Sequence, residues 1–299
     1  MNQPLPPINL PVVHQPATEP TPGFVKVSLS AYPHLDQRGT DWLAQEEPLE
    51  ISLEFSTADG ISRKPLSITM RTPGHDVELA VGFLNGEGII ASRDHVAGHH
   101  LGANKVLVKL HPEHHPDLAR LDRHFYTSSS CGVCGKATLE AISTVRDQPL
   151  PRDGFSVTPA QLIRWPDVLR AAQPTFDRTG GLHAAGLFDA EGRLHFVRED
   201  VGRHNAVDKV VGAACLAGLL PLSRSALLVS GRASFELVQK ALMAGIPLLA
   251  AVGAPSSLAV DLAKRFDMTL VGFVRGGRFN VYHGDWRLSD LGVPSEQHG

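Results

Sequence analysis

The sequence predicts an α/β protein in which a smaller N-terminal α+β domain is followed by a C-terminal domain built around a mostly parallel sheet. Two observations carry that prediction. In the first half, residues 24–29, 49–55, 65–70 and 105–110 alternate apolar and polar side chains, as half-buried strands do. In the second half, short continuous apolar runs at 226–229, 248–252 and 269–274 replace alternation, which suits strands buried on both faces. These runs alternate with helical patterns at 206–220, 235–244 and 257–266, and βαβ alternation implies parallel strands covered by helices.

In chain order, residues 1–23 carry Pro4, Pro6, Pro7, Pro11, Pro16, Pro20 and Pro22 without apolar periodicity. Such a composition cannot offset the entropy of ordering, and a disordered arm is expected. The N-terminal domain, residues 24–150, opens on the alternating strands. A helix at 76–84 follows, with Val77, Leu79, Ala80, Phe83 and Leu84 on one face behind the punctuation of Pro73 and Gly74. The histidine-rich residues 111–123 read as a surface connection. Pro149, Pro151 and Gly154 mark a boundary to a second domain, residues 151–285, and 286–299 is expected to be a tail. Ligands on parallel sheets gather at strand C-terminal ends. Ser230-Gly231-Arg232, Gly253-Ala254-Pro255-Ser256 and Arg275-Gly276-Gly277-Arg278 all fall there.

A chain of 299 residues with 42% hydrophobic and 20% charged residues has enough apolar content for a sizeable core, in one large or two moderate domains. A net charge of -3 leaves no global positive field to gather phosphate backbones, which argues against a nucleic-acid partner. No window reaches the roughly 18 apolar residues a bilayer span needs, and the N-terminus has neither a basic region nor an apolar core of a leader. A cytoplasmic protein without a membrane partner is expected. Cys131, Cys134 and Cys215 are too few, and odd in number, for a secreted disulfide framework.

The sharpest motif is Ser128-Ser129-Ser130-Cys131-Gly132-Val133-Cys134-Gly135-Lys136. Two thiols at this spacing can share a proton or a disulfide, and flanking glycines and Lys136 favour the thiolate. A structural zinc site would need two further ligands, from Cys215 or the histidines; a thioredoxin-like dithiol would want a helix start after a strand. The histidines at 99, 100, 111, 114 and 115 read as solvated surface, because Pro112 and Pro116 break any converging helical spacing. Thr179-Gly180-Gly181-Leu182-His183-Ala184-Ala185-Gly186 permits close backbone approach to a ligand, with His183 either a base or a residue satisfied within a strand. Ala185 stands where a zinc deaminase would carry its glutamate. In Asp200-Val201-Gly202-Arg203-His204-Asn205, Asp200 or Asn205 could cap a helix, but capping needs neither Arg203 nor His204. Arg232, Arg275 and Arg278 present guanidinium forks that match phosphates, or are ordinary turn residues.

Taken together, these motifs resemble the formate dehydrogenase accessory sulfurtransferase family (FdhD). The resemblance is carried by residues 70–84 (MRTPGHDVELAVGFL), the Ser-Cys-Gly-Val-Cys-Gly run, residues 179–185, 200–209 and 230–236, and residues 273–282 (FVRGGRFNVY). It spans residues 28–283, leaving out the arm and the histidine-rich loop. It implies a homodimer with a cytidine-deaminase-like, three-layer larger domain. It also implies a sulfur carrier that takes persulfide sulfur from a cysteine desulfurase. The sulfur would pass to the molybdenum (or tungsten) bis(molybdopterin guanine dinucleotide) cofactor, bound as substrate, before the cofactor enters the formate dehydrogenase catalytic subunit. On that carry-over Cys131 holds the persulfide and Cys134 assists, while Phe273, Val274, Arg275, Gly276, Gly277 and Arg278 contact the cofactor, for which a guanine nucleotide would be a mimic. A cofactor-binding chaperone without sulfur transfer, a zinc-stapled binding module and a dithiol oxidoreductase are the competing readings.

Overall fold

The computed structural model describes residues 23–32, 34–116 and 148–290, with 34–36 as backbone only. The arm (residues 1–22), the stretch holding Cys131 and Cys134, and residues 291–299 lie outside the described residues. Strands β1 (Phe24–Ala31) and β2 (His34–Ala44) form an antiparallel ribbon. Next come β3 (Glu47–Thr57), β4 (Gly60–Arg71), helix α1 (Asp76–Gly86), β5 (Val96–Gly102) and β6 (Lys105–Leu110). These four strands make a sheet of order β4-β3-β6-β5, in which only β3 and β6 run parallel. The predicted alternation holds in β3 and β6, where Leu49, Ile51, Leu53, Phe55, Val106, Val108 and Leu110 point to one face and pack with Leu79, Ala80, Val81 and Leu84 of α1, whereas at 65–70 only Leu66 is buried and Ile68 and Met70 are exposed.

Residues 148–290 supply α2 (Pro159–Ala171), α3 (Pro174–Thr179), β7 (His183–Phe188), β8 (Leu194–Asp200), α4 (Arg203–Leu216), β9 (Ala226–Val229), α5 (Phe235–Met243), β10 (Leu248–Ala251), α6 (Ser257–Arg265), β11 (Thr269–Arg275) and β12 (Arg278–His283). The strands form one sheet of order β12-β11-β10-β9-β7-β8. The expected parallel arrangement is found at its centre, β9-β10-β11, where helices α5 and α6 cross over between strands. Both edges are antiparallel, because β7–β8 and β11–β12 are hairpins, whose short connections cannot reverse the chain twice. Each short apolar run serves two faces. Leu227, Val229, Leu249 and Ala251 pack against Val207, Val210, Leu237, Ala241 and Leu262 on one side. Ala226, Leu228, Leu248 and Ala250 pack against Leu162, Trp165 and Leu169 on the other.

Several elements escape the sequence reading. Helix α2 is announced by Thr158, whose hydroxyl accepts from the Gln161 amide in a capping box with Pro159 at the first turn. Strand β5 holds the exposed His99 and His100 and has no apolar rhythm to betray it. Residues 286–289, placed in the tail by the sequence, are packed: Arg287 is 0% exposed and donates to the Asp267 carbonyl, the Thr269 hydroxyl and the Pro151 carbonyl.

The two halves meet where α1 crosses α4. A Cβ on Gly82 would overlap the Asp208 carbonyl, and one on Gly212 would overlap the Glu78 carbonyl, so each helix lays a glycine on the other's backbone. Charge reinforces the crossing. Arg198 grips Glu78 with Nε and Nη2 at 2.6 and 2.8 Å. Burial pushes the Glu78 carboxyl up, but Arg198 and His75 hold it down to about 2. Its ionic contribution is therefore present above the usual carboxylate range and is lost as pH falls toward 2.

Gly82→Ala and Gly212→Ala are each expected to destabilise by the upper end of the ~1–3 kcal/mol range of overpacking or more. Gly98→Ala, where an added Cβ meets nothing within 4 Å, should stay within ~0.5 kcal/mol of the parent. Urea unfolding of the three variants measures this, and a tolerated alanine at either crossing glycine would refute the close contact.

Candidate functional site

The loops that leave the C-terminal ends of β9, β10 and β11 are bonded to one another along a continuous rim. At one end the Ser230 amide donates to the Ala184 carbonyl and the Ser230 hydroxyl oxygen accepts from the Ala184 amide, both at 2.9 Å. The Gly253 amide donates to the Gly231 carbonyl at 2.9 Å, and the Phe273 amide to the Gly253 carbonyl at 3.0 Å. Gly253 leaves room for this close approach, since a Cβ would sit 3.0 Å from the Gly231 carbonyl oxygen and crowd the neighbouring backbone. The Ser230, Gly253 and glycine-arginine motifs thus become neighbours, as their strand-end positions predict.

The six residues from Phe273 to Arg278 divide. Val274 is fully buried in the core with Val271 and Leu228, which leaves only its backbone to the rim. Phe273 has a φ of 56°, a left-handed conformation rare for an aromatic residue. Gly276 and Gly277, with φ of 59° and 72°, close a two-residue hairpin turn that requires positive φ at both positions. Arg275 and Arg278 face each other across that turn, both exposed, with the Arg275 guanidinium 5.5 Å from the centre of the Phe273 ring. The result is a rigid tip carrying two cations and an aromatic ring, a surface suited to phosphate and base contacts.

At the opposite end of the rim stand residues whose roles the sequence leaves open. His183 opens β7, half-buried, against Gly231. Burial, followed by the neighbouring Arg203 and His204, lowers its pKa. His204 is bonded to the Glu236 carboxylate at 2.7 Å and lies 3.3 Å from the Ser234 hydroxyl. That bond to His204 lowers the Glu236 pKa. Arg203 begins α4, and Arg232 is exposed on the β9 loop.

Much of the Asp200–Lys209 motif is structural. Asp200 is 0% exposed; one carboxylate oxygen lies 2.7 Å from the Lys209 ammonium and accepts from the Thr72 amide at 3.2 Å. Its other oxygen accepts from the Gly202 amide and from Asn205 Nδ2 at 2.8 and 2.9 Å. Neither Asp200 nor Asn205 caps α4 with a side-chain bond; Asn205 instead reaches across to the Met70 carbonyl and the Thr69 hydroxyl. Lys209 likewise donates to the Thr72 carbonyl at 2.8 Å. Asp208, pushed up to about 6 by burial, is held by the Lys240 ammonium at 2.8 and 2.9 Å. In residues 70–84, Arg71 clamps Asp76 with two bonds of 2.9 Å, fixing the start of α1. Thr72, Glu78 and Arg198 are not legible as partners in the sequence, since each pairs with a residue more than a hundred positions away.

Cys131 and Cys134 lie outside the described residues. Cys215, considered as a further zinc ligand, is buried in the apolar cluster under α1, where burial raises its thiol to about 11. Among the described residues no helix is long and apolar enough to cross a membrane.

Comparison with known proteins agrees with this architecture. A profile of the FdhD/NarQ family matches residues 44–289. The chain is 56% identical over 261 residues to a protein of Streptomyces coelicolor named sulfur carrier protein FdhD, covering 83% of this chain and 89% of that one. It is 52% identical over 253 residues to a protein of the same name from Mycobacterium tuberculosis, covering 80% and 89%. A crystal structure from Desulfotalea psychrophila, of a protein assigned as a formate dehydrogenase accessory protein, superposes with a TM-score of 0.67 at 26% identity, covering 89% of this chain and 98% of that one.

The buried Asp200–Lys209 pair yields a stability prediction. Asp200→Asn or Lys209→Met alone leaves an unpaired buried charge or strips its partners, and each should cost ~3–5 kcal/mol. The double variant should recover part of that loss. Denaturant melts giving less than ~1 kcal/mol for both single changes would show that the pair is not desolvated.

Proposed function

The chain belongs to the FdhD/NarQ family, and we propose that it is a sulfur carrier in the maturation of formate dehydrogenase. The observation that carries this reading is the long match to relatives named sulfur carrier proteins, over a chain that contains Ser-Cys-Gly-Val-Cys-Gly. In the first step the Cys131 thiolate attacks the terminal sulfur of a persulfide on a cysteine desulfurase. The donor's S–S bond breaks, the donor cysteine leaves as a thiolate, and Cys131 retains the sulfane sulfur with no net change of oxidation level. Cys134 assists. The sulfur then passes to the molybdenum (or tungsten) bis(molybdopterin guanine dinucleotide) cofactor, the substrate of the transfer, before the cofactor enters the formate dehydrogenase catalytic subunit.

The rim supports the second half of this reading. The paired Arg275 and Arg278 offer guanidinium forks to a nucleotide's phosphates, and Phe273 offers an aromatic face. On this reading the protein is a sulfurtransferase that works on the cofactor in the cytoplasm, as a homodimer.

Two outcomes are expected. Incubated with a cysteine desulfurase and cysteine, the parent should gain the mass of one sulfur, and Cys131→Ala should not; equal gain by that variant would move the acceptor to Cys134 or elsewhere. In calorimetry with GDP, Arg275→Ala and Arg278→Ala should each weaken binding by about 1.5–3 kcal/mol, the worth of a charge-assisted hydrogen bond. Equal affinities throughout would remove the turn from the site.

A further inference from the structure

At the far end of the rim one arginine has no hydrogen-bonded anion among the described residues. Arg203 is partly buried, and its Nε is shut off from water with no acceptor among the described residues. Arg287 also has an unpaired Nε, but its other nitrogens donate to three oxygens; Arg203 has no hydrogen bond or ion pair with any described residue. Glu236, whose carboxylate feels the charge of Arg203, is bonded to His204 at 2.7 Å. A guanidinium N–H removed from water without an acceptor is costly, and a bound oxyanion would supply the acceptor.

His183 pairs across the β7–β8 hairpin with Asp200, three residues before Arg203, and Ser230 and Gly231 lie beside it. His183 lies against Gly231, where a Cβ would come within 3.3 Å of the ring Nδ1, and neither of its ring nitrogens has a partner among the described residues. The Ser230 oxygen accepts from the Ala184 amide, which leaves its O–H free to donate. Gly231 presents bare backbone between them, so a ligand can approach closely.

We propose that Arg203, His183 and Ser230 form an oxyanion subsite, separate from the Arg275–Arg278 turn, that takes a diphosphate. It deepens the cofactor reading of the rim and rests on it for the identity of the natural ligand, though not on the sulfur step. The backbone bonds from Ser230 through Gly253 to Phe273 join the two ends of the rim, so one extended ligand can touch both. A diphosphate bridge of a dinucleotide and free pyrophosphate present the same chemistry. An anion there also turns the surroundings of His183 around: Arg203 and His204 now oppose its protonation, with Asp200 the one nearby group favouring it, and a bound diphosphate would add a second.

The test uses the full chain, calorimetry with inorganic pyrophosphate, GDP and guanosine, and NMR of the His183 ring. Pyrophosphate and GDP should bind and guanosine should bind more weakly than GDP, with the His183 pKa rising on saturation by pyrophosphate. Arg203→Gln should weaken pyrophosphate roughly tenfold to a hundredfold, the equivalent of losing charge-assisted bonds. His183→Gln, at a partly exposed position, should weaken it in the same direction, and thermal melts identify any variant that fails to fold. Arg278→Gln should weaken GDP but leave pyrophosphate within about twofold. Pyrophosphate that fails to bind, binds without moving the His183 pKa, or depends on Arg278 and not on Arg203 or His183 would overturn the subsite. In the first of these cases GDP binding that still depends on Arg278 would leave the cofactor reading of the turn standing, and loss of both would remove the two together.

Discussion

Everything in the described fold that bears on the rim depends on two helices touching at their backbones. With Gly82 on the Asp208 carbonyl and Gly212 on the Glu78 carbonyl, α1 and α4 approach more closely than any side chain would allow. The backbone contact alone has no directional preference, and the polar groups around it supply one. Asp200, Lys209, Asn205 and Thr72 exchange hydrogen bonds across the two halves with their charges out of water. A buried pair of this kind adds little net stability compared with apolar packing, but a wrong register leaves its charges stranded. We read the seam as a device that permits one relative placement of the halves.

That placement reaches the rim through α4. The residues just before the helix, Asp200 and Gly202, are tied into the seam, so Arg203 and His204 at its first turn emerge from a fixed point. One short motif therefore does two jobs. Asp200, Asn205, Asp208 and Lys209 turn inward to hold the halves, while Arg203 and His204 turn toward His183, Ser234 and Glu236. This division explains why a capping residue could account for only part of the charge cluster in the sequence.

The legibility of the fold follows the range of the interactions. Local rhythm announces β3, β6 and α1, because alternation and helical spacing are set by burial of one face, and continuous apolar runs announce β9, β10 and β11, because both faces are covered. Strand β5, with exposed histidines, and the hairpin partner β12 carry no such rhythm. The site is legible in its chemistry but not in its assembly. Arginines and glycines at strand ends are visible in the sequence, whereas the bond from Phe273 to Gly253, the pairing of Arg198 with Glu78 and the buried state of Val274 depend on contacts between distant segments.

Phe273 carries one more implication. A phenylalanine at φ 56° stores local strain of about 1–3 kcal/mol that a glycine would not incur, and its amide is pinned to Gly253 at the same time. Val274, immediately after it, returns to the core, so the strain is confined to the single residue at which β11 passes from packing to the surface. The chain therefore keeps an aromatic ring where the backbone alone would favour none. A glycine at this position would relieve the strain and remove the ring, so stability and the aromatic surface pull in opposite directions here.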